Sequence, residues 1–289
     1  QEYSLNLIKK AFPKYEKEIS KAEMAFNLTF GKAKEGMKKY MIEYLGSTDF
    51  KNFDNLMKDE LKSSLGGQTF TEEMAINFVN EVDSRAKGNI ASTVLETLLF
   101  FQFADRPQDE IISGFTTKFR TKGHPKSKNT DWQIRVPKSW KAEEAERPNI
   151  IQKFTSDYGD GNQSIMLLIK EFPLPNDYKI TKEELNNFFT EKEMRNSVPD
   201  GGVFISFTRI TLDNNIAGML EFEQTLERLD VRMKFRQLQF MVLRGNKMYM
   251  LQCLVDSEKV DTDLSIEMKK YLPLYKLIAN TMVINDQYK

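Results

Sequence analysis

The spacing of apolar residues along this chain changes from three-and-four to two near residue 131, and that change divides the sequence. Between Lys32 and Leu45, the residues Met37, Tyr40, Met41 and Tyr44 recur at helical intervals and share one helix face. Gly46 and Ser47 end that segment, and Asp49 is placed to cap the next. There Phe53, Leu56, Met57 and Leu61 form a second stripe that stops at Gly66 and Gly67. Thr71 caps a third helix carrying Met74, Phe78 and Val82. A fourth segment, Ser92 to Phe103, holds Val94, Leu95, Leu98, Leu99 and Phe101, and its Phe-rich end leaves a strand open as the alternative. Amphipathic helices must bury their stripes somewhere, so these Met and aromatic residues read as a helical core. A ligand pocket is the other use of so polarizable a lining.

From Trp132 the period is two. Trp132, Ile134 and Val136 alternate with Gln133 and Arg135 up to Pro137, a strand with one buried face. Ile150 to Phe154 makes a second strand. After the YGDG turn at Tyr158 to Gly161, the unbroken apolar run Ile165 to Ile169 predicts a central strand covered on both faces. One cover is a helix capped by Thr181 with Glu184 reaching back, flanked by Ile180 and Leu185 at staple positions and ending before Pro199, Gly201 and Gly202. A strand from Val203 to Leu212 and a turn at Asp213 to Asn215 follow.

The next two strands, Ala217 to Arg228 and Val231 to Leu243, form a hairpin closed by Leu229 and Asp230. A two-residue turn pairs Arg228 with Val231, Glu227 with Arg232, Thr225 with Lys234 and Glu223 with Arg236, with Leu226 meeting Met233 on the other face. In the second strand the apolar parity slips, from odd at Val231, Met233 and Phe235 to even at Leu238, Phe240 and Val242. A β-bulge at Arg236 and Gln237 opposite Glu223 restores one core face, setting Phe222 against Leu238 and Leu220 against Phe240. A third strand, Lys247 to Val255, follows the Gly245–Asn246 turn and puts Tyr249, Leu251, Cys253 and Val255 on one face. The closing helix is capped at Asp261 or Asp263 and carries Leu264, Met268, Tyr271 and Leu272. Pro273 is expected to interrupt it, with a second helix restarting through Leu274, Leu277, Ile278 and Met282.

Composition narrows the chemistry. The 289 residues include 42 basic and 42 acidic side chains, so no net field draws nucleic acid or an anionic membrane. Cys253 is the only cysteine and His124 the only histidine, which excludes a Cys/His zinc site and an intramolecular disulfide and leaves carboxylate-bound calcium or magnesium open. The longest apolar candidate for a membrane span, Val94 to Phe103, is broken by Glu96, Thr97 and Gln102. The stretch RTKGHPKSKN, residues 120–129, reads as a solvated loop or linker rather than an anion site, and His124 within it has no orienting carboxylate. Cys253 reads as a small core residue.

The polar face of the hairpin, Glu221, Glu223 and Glu227 against Arg232, Lys234 and Arg236, is either a ladder of cross-strand ion pairs on a solvent-facing sheet or a polar ligand floor. Together with Trp140 it supplies the candidate binding surface: Trp140, Glu221, Glu223, Arg232, Lys234 and Arg236. No catalytic residue, cofactor or metal site is expected.

VPKSW at Val136 to Trp140, the FTSDYGDGNQSIMLLI run and the terminal helix give residues Asp131 to Asp286 a resemblance to the PsbP-like fold, shared by the photosystem subunit PsbP and the Mog-type Ran-binding proteins. The resemblance implies an antiparallel sheet with helices on both faces, an α/β/α sandwich in a protein of α+β class. Its members are mostly binding or assembly proteins, and it brings no catalytic constellation with it. The expected layout is a helical region over 1–119, a linker over 120–130 and the sandwich over 131–289. The expected role is a non-enzymatic binding or assembly module of the bacterial envelope, periplasmic or secreted, with a signal peptide removed before Gln1. A protein or small ligand of the envelope would be its partner, with no part for nucleic acid. The alternatives are a small-molecule or lipid carrier with a pocket between helices and sandwich, and a hydrolase using Asp157, Asp160 or the Glu221 to Glu227 carboxylates.

Overall fold

The helical periodicity of the first hundred residues becomes five α-helices in the computed structural model, which describes residues 1–66, 69–90, 92–175, 178–228 and 231–288. They are α1 (Glu2–Ala11), α2 (Glu16–Leu45), α3 (Ser47–Leu65), α4 (Glu72–Ala86) and α5 (Ser92–Gln102). The chain divides into two compact units, Gln1–Ala104 and Asp105–Lys289. In the first, Leu5 and Ile8 of α1, Ile19 and Ala22 of α2, and Ala75, Val79 and Val82 of α4 make the core.

Local chemistry sets these boundaries. Gly46, at φ 83°, ends α2, and α3 starts directly at Ser47, so Asp49 lies in its first turn and does not cap it. Thr71 Oγ1 accepts from the Met74 amide at 3.2 Å, the expected cap. Phe30 breaks the helical path of α2 at φ −125°, ψ 17°. Beyond the break, the Lys32 and Ala33 amides donate to Gln102 Oε1 of α5 at 3.0 and 3.1 Å, which satisfies the N–H groups of the restarted helix. The face that α4 buries is Ala75, Val79, Val82 and Ala86, about one residue around from the predicted stripe, and Met74 is half exposed. α5 is helical to Gln102, with Leu95 and Leu99 inward. Gly67, expected to help end α3, lies outside the described residues.

The second unit runs α6 (Gln108–Ile112), β1 (Thr116–Arg120), β2 (Trp132–Pro137), β3 (Lys141–Glu143), β4 (Ile150–Thr155), β5 (Gln163–Glu171), α7 (Lys182–Phe188), α8 (Glu191–Asn196), β6 (Val203–Leu212), β7 (Asn215–Arg228), β8 (Val231–Arg244), β9 (Lys247–Ser257), α9 (Ser265–Asn280) and β10 (Val283–Ile284). Two antiparallel sheets result, one of order β1-β2-β10 and one of seven strands ordered β3-β4-β5-β9-β8-β7-β6. β1 escapes the sequence reading because TTKFR has no apolar alternation. Residues 120–129 connect β1 to β2 inside this unit, tied by a bidentate Arg120–Asp131 pair at 2.7 Å and by Thr121 Oγ1 donating to the Thr130 carbonyl at 2.9 Å.

The large sheet is covered on both faces, giving the expected α+β sandwich. Ile165, Leu167 and Ile169 of β5, Leu238, Phe240 and Val242 of β8, and Tyr249, Leu251, Cys253 and Val255 of β9 share a core with Met268, Tyr271, Leu274, Tyr275 and Ile278 of α9. On the other face Leu168, Leu220, Phe222, Met241, Leu243, Met248 and Met250 pack with Phe189 and with Met194 of α8. The full capping box at Thr181 and Glu184 starts α7 as predicted.

Two expectations change. The hairpin register holds at Arg228↔Val231, Glu227↔Arg232, Thr225↔Lys234 and Glu223↔Arg236, but it continues unbroken through Phe222↔Gln237 and Glu221↔Leu238, so the predicted bulge is absent. The parity slip has another cause. Beyond Arg236 the even-numbered Leu238, Phe240 and Val242 face α9, while the odd row carries Gln237 and Gln239, bonded to each other at 2.9 Å, before Met241 and Leu243 return to the α7–α8 core, so the apolar parity slips without a change of register. The turn residues Leu229 and Asp230 lie outside the described residues. Secondly, α9 passes through Pro273 without stopping. Pro273 is on the exposed side, where water compensates the lost backbone bond, and Tyr271, Leu274 and Tyr275 hold both turns to the sheet. Of the two acids expected at the start of α9, Asp263 is the one that meets it, accepting from the Ser265 amide at 2.9 Å.

Candidate functional site

The polar ladder is half-buried and paired on the diagonal. Arg236 Nε donates to Glu221 Oε1 at 2.8 Å, and Lys234 Nζ lies 2.9 Å from Glu223 Oε1. Both cations thus meet the acid two residues along from their register partners, Glu223 for Arg236 and Thr225 for Lys234, a reach that long side chains make across adjacent antiparallel strands. These four side chains are only 15–25% exposed, so the surface is not the open sheet face expected. They stand on the α9 side of the sheet, beside the loop before α9, where Lys234 Nζ also donates to the Thr262 carbonyl at 3.0 Å. Arg232 is exposed at the hairpin end. With Glu221 and Glu223 neutralised by Arg236 and Lys234, this part of the ladder is suited to joining β7 to β8 rather than to proton transfer.

Trp140 is elsewhere. It is 8% exposed in the α9 core, edge-on to Tyr271 and Tyr275 with ring centroids 6.3 and 6.5 Å away. Next to it is a group that sequence reasoning missed. Glu110 of α6 is 3% exposed, and its carboxylate accepts from the Ser139 amide at 2.8 Å and the Ser139 hydroxyl at 2.7 Å. Among the described residues no cation pairs with it, and burial pushes its carboxyl up to about 7 against the opposing effect of the Ser139 bonds. Nothing in the sequence around QDEII marks that glutamate as buried.

The remaining candidates stay apart. Burial, and then Asp160, raise the Asp157 carboxyl. His124 Nδ1 accepts from the Lys126 amide at 3.2 Å, an arrangement that turns the loop. Cys253 is fully buried, and burial pushes its thiol up. Among the described residues no group of three or more His, Cys, Asp and Glu side chains is arranged to hold a metal ion, and no helix is long and apolar enough to cross a membrane.

The helical unit departs most from expectation. α3 buries no residue at all, and Phe53, Leu56, Met57 and Leu61 are 44, 60, 47 and 38% exposed. On α2, Met37, Tyr40 and Tyr44 are exposed as well. The two stripes have the predicted spacing but are not core. In the same unit, Ile8, Tyr15, Ala75 and Val79 line a half-open apolar pocket of about 130 Å³.

No protein-family profile matches the chain, and no curated protein sequence matches it. Among solved structures it is similar to the cyanobacterial PsbP (CyanoP) of Synechocystis sp. PCC 6803, at 11% identity over 58% of this chain and 92% of that one, TM-score 0.36. It is similar to LpqN of Mycobacterium tuberculosis, described as involved in cell envelope biogenesis, at 16% identity over 62% and 96%, TM-score 0.35. It is also similar to the Saccharomyces cerevisiae Ran-binding protein Mog1p, at 9% identity over 60% and 97%, TM-score 0.36. CyanoP and Mog1p represent the fold group that Asp131 to Asp286 resembles, while the α+β architecture itself stands on the strand order and register given above.

Proposed function

We propose that the chain is a non-enzymatic binding or assembly module of the bacterial cell envelope, whose helical unit offers the outer faces of α2 and α3 to a helical segment of a partner protein. The observation that carries this reading is α3, a 19-residue helix with an apolar stripe and no buried residue. A folded chain rarely leaves such a face to water unless something docks there. Met37 and Met57 in the exposed stripes suit a surface that adapts to a packed helix. The charges favour protein over lipid. Between Ser47 and Leu65, Asp49, Asp54, Asp59 and Glu60 outweigh Lys51, Lys58 and Lys62, which is not the basic face of a helix that lies on anionic membranes. The envelope placement extends the resemblance of Asp131 to Asp286 and suits a chain whose one cysteine is sequestered.

The test is affinity capture from envelope extract with the wild-type chain and with Leu56→Glu/Met57→Glu. The variant should unfold within about 0.5 kcal/mol of wild type, because neither side chain is buried. A partner retained by wild type and lost by the variant supports the proposal. Equal capture by both chains, the absence of any stripe-dependent partner, or binding of the wild type to protein-free anionic vesicles overturns it. The apolar pocket at Ile8, Tyr15, Ala75 and Val79 favours a carrier as the second reading. Its 130 Å³ is below the roughly 300 Å³ at which ligand pockets begin, which ranks that reading behind the first.

A further inference from the structure

Glu110 stands where the second unit begins. The division between units falls at Ala104 and Asp105, and α6 is the first element after it, with Pro107 before it and Gly114, at φ 87°, closing it. This five-residue helix packs on α9 and β2, with Ile111 against the core. Its polar attachments converge on one turn. The Ser139 amide and hydroxyl hold the Glu110 carboxylate, and the Lys138 amide donates to the Phe115 carbonyl at 3.1 Å. A buried carboxylate that lacks a cation among the described residues is stable there only at the expense of its charge.

We propose that Glu110 is a pH-sensitive latch, which holds α6 against the turn at Lys138 and Ser139 in acid and lets it lift away as the pH rises through neutrality. The carboxyl is near its midpoint at pH 7 while α6 is docked, and it returns to an ordinary value near 4.5 once α6 opens to water. The docked state therefore binds the proton more tightly, and opening is favoured by rising pH.

The surrounding charges are accounted for. On α6 itself Asp109 pairs with Arg106. α9 presents Tyr271 and Glu267, and the turn after β4 presents Asp157, all of which share a field with Glu110 at the Tyr271 phenol. Glu267 already accepts from Gln163 at 3.0 Å. β2 contributes Arg135, whose guanidinium donates to Thr116 at 3.3 Å, and the turn contributes Lys138.

The experiment is hydrogen exchange on the whole chain, read by mass spectrometry on peptides spanning 106–115 and 137–141 and corrected for the intrinsic rate. Between pH 5.5 and 8.5 the opening constant of these amides should rise about thirty-fold in wild type and stay flat in Glu110→Gln. The rise should persist in His124→Gln, which removes the only histidine of the sequence. Carbon-13 NMR of the wild-type Glu110 carboxyl gives a second measurement that needs no variant, with a midpoint expected near neutrality. Opening that is independent of pH in wild type, an undiminished rise in Glu110→Gln, loss of the rise in His124→Gln, or a carboxyl midpoint near 4.5 overturns the latch.

Discussion

Gly218 offers a direct measurement of how tightly the α7–α8 layer is seated on the sheet. It lies within β7, opposite Met241 of β8 and Arg209 of β6, and a methyl group built on it would stand 2.7 and 2.9 Å from Phe189 ring carbons and 3.0 Å from Phe207. The ring has nowhere easy to go. Phe189 is fully buried, and its carbonyl is held by Arg209, with Nε at 3.2 Å and Nη2 at 2.9 Å. Overpacking of this kind costs about 1–3 kcal/mol. Replacing a strand glycine returns about 0.4–1 kcal/mol through the unfolded chain, so Gly218→Ala should lose about 1–2 kcal/mol. Urea unfolding followed by the fluorescence of Trp132 and Trp140, both buried in this unit, reads the loss as a lower midpoint at unchanged slope. In a Phe189→Leu background, which removes the opposing ring atoms, the same substitution should cost less than about 0.5 kcal/mol. A neutral or stabilising Gly218→Ala, or a cost that Phe189→Leu leaves intact, refutes the steric argument.

Three further outcomes follow from the same contacts. Because the folded chain raises the Glu110 carboxyl from 4.5 to about 7, its contribution is fully present below pH 4.5 and is lost as the pH climbs through 7. Global stability should therefore fall by up to roughly 3 kcal/mol across that window in wild type and by markedly less in Glu110→Gln, with equal slopes counting against the buried acid. A double-mutant cycle on Glu221→Gln and Arg236→Gln should return a coupling of about 1 kcal/mol, weakened little by salt because both side chains are more than four-fifths buried; zero coupling would show the pair to be incidental. Cys253 should resist thiol reagents in the folded protein and react only at the unfolding rate, and faster labelling would contradict its burial.

Much of the fold was readable because its causes are local. Thr71 and the Thr181–Glu184 box carry the atoms that satisfy helix N-terminal amides, so those starts are where the residue types demand. The opposed charges from Glu223 to Arg236 specify the hairpin register, and the structure keeps it. Of the candidate surface, the pairing of Glu221 and Glu223 with Lys234 and Arg236 was half legible, since the residues were right while their diagonal partnering and shelter depended on the twist and on the loop before α9. Trp140, grouped with that surface on sequence, is instead buried against Tyr271 and Tyr275, because α9, more than a hundred residues further along the chain, covers it. Glu110 was not, because a single acid in a five-residue helix has no periodic signature of burial.

By itself, then, the sequence determined which faces are apolar, where helices and strands start and turn, and which chemistries the scarcity of Cys and His removes. Only the tertiary structure decided what covers each face. The stripes of α3 and α4 obey the same spacing, yet α4 closes on α1 and α2 while α3 buries none of its residues. The parity slip in β8 likewise resolves through cover on both sides of the sheet. Periodicity is a property of one element's own geometry, whereas burial belongs to a pair of elements, and the second member of the pair is chosen by the whole chain.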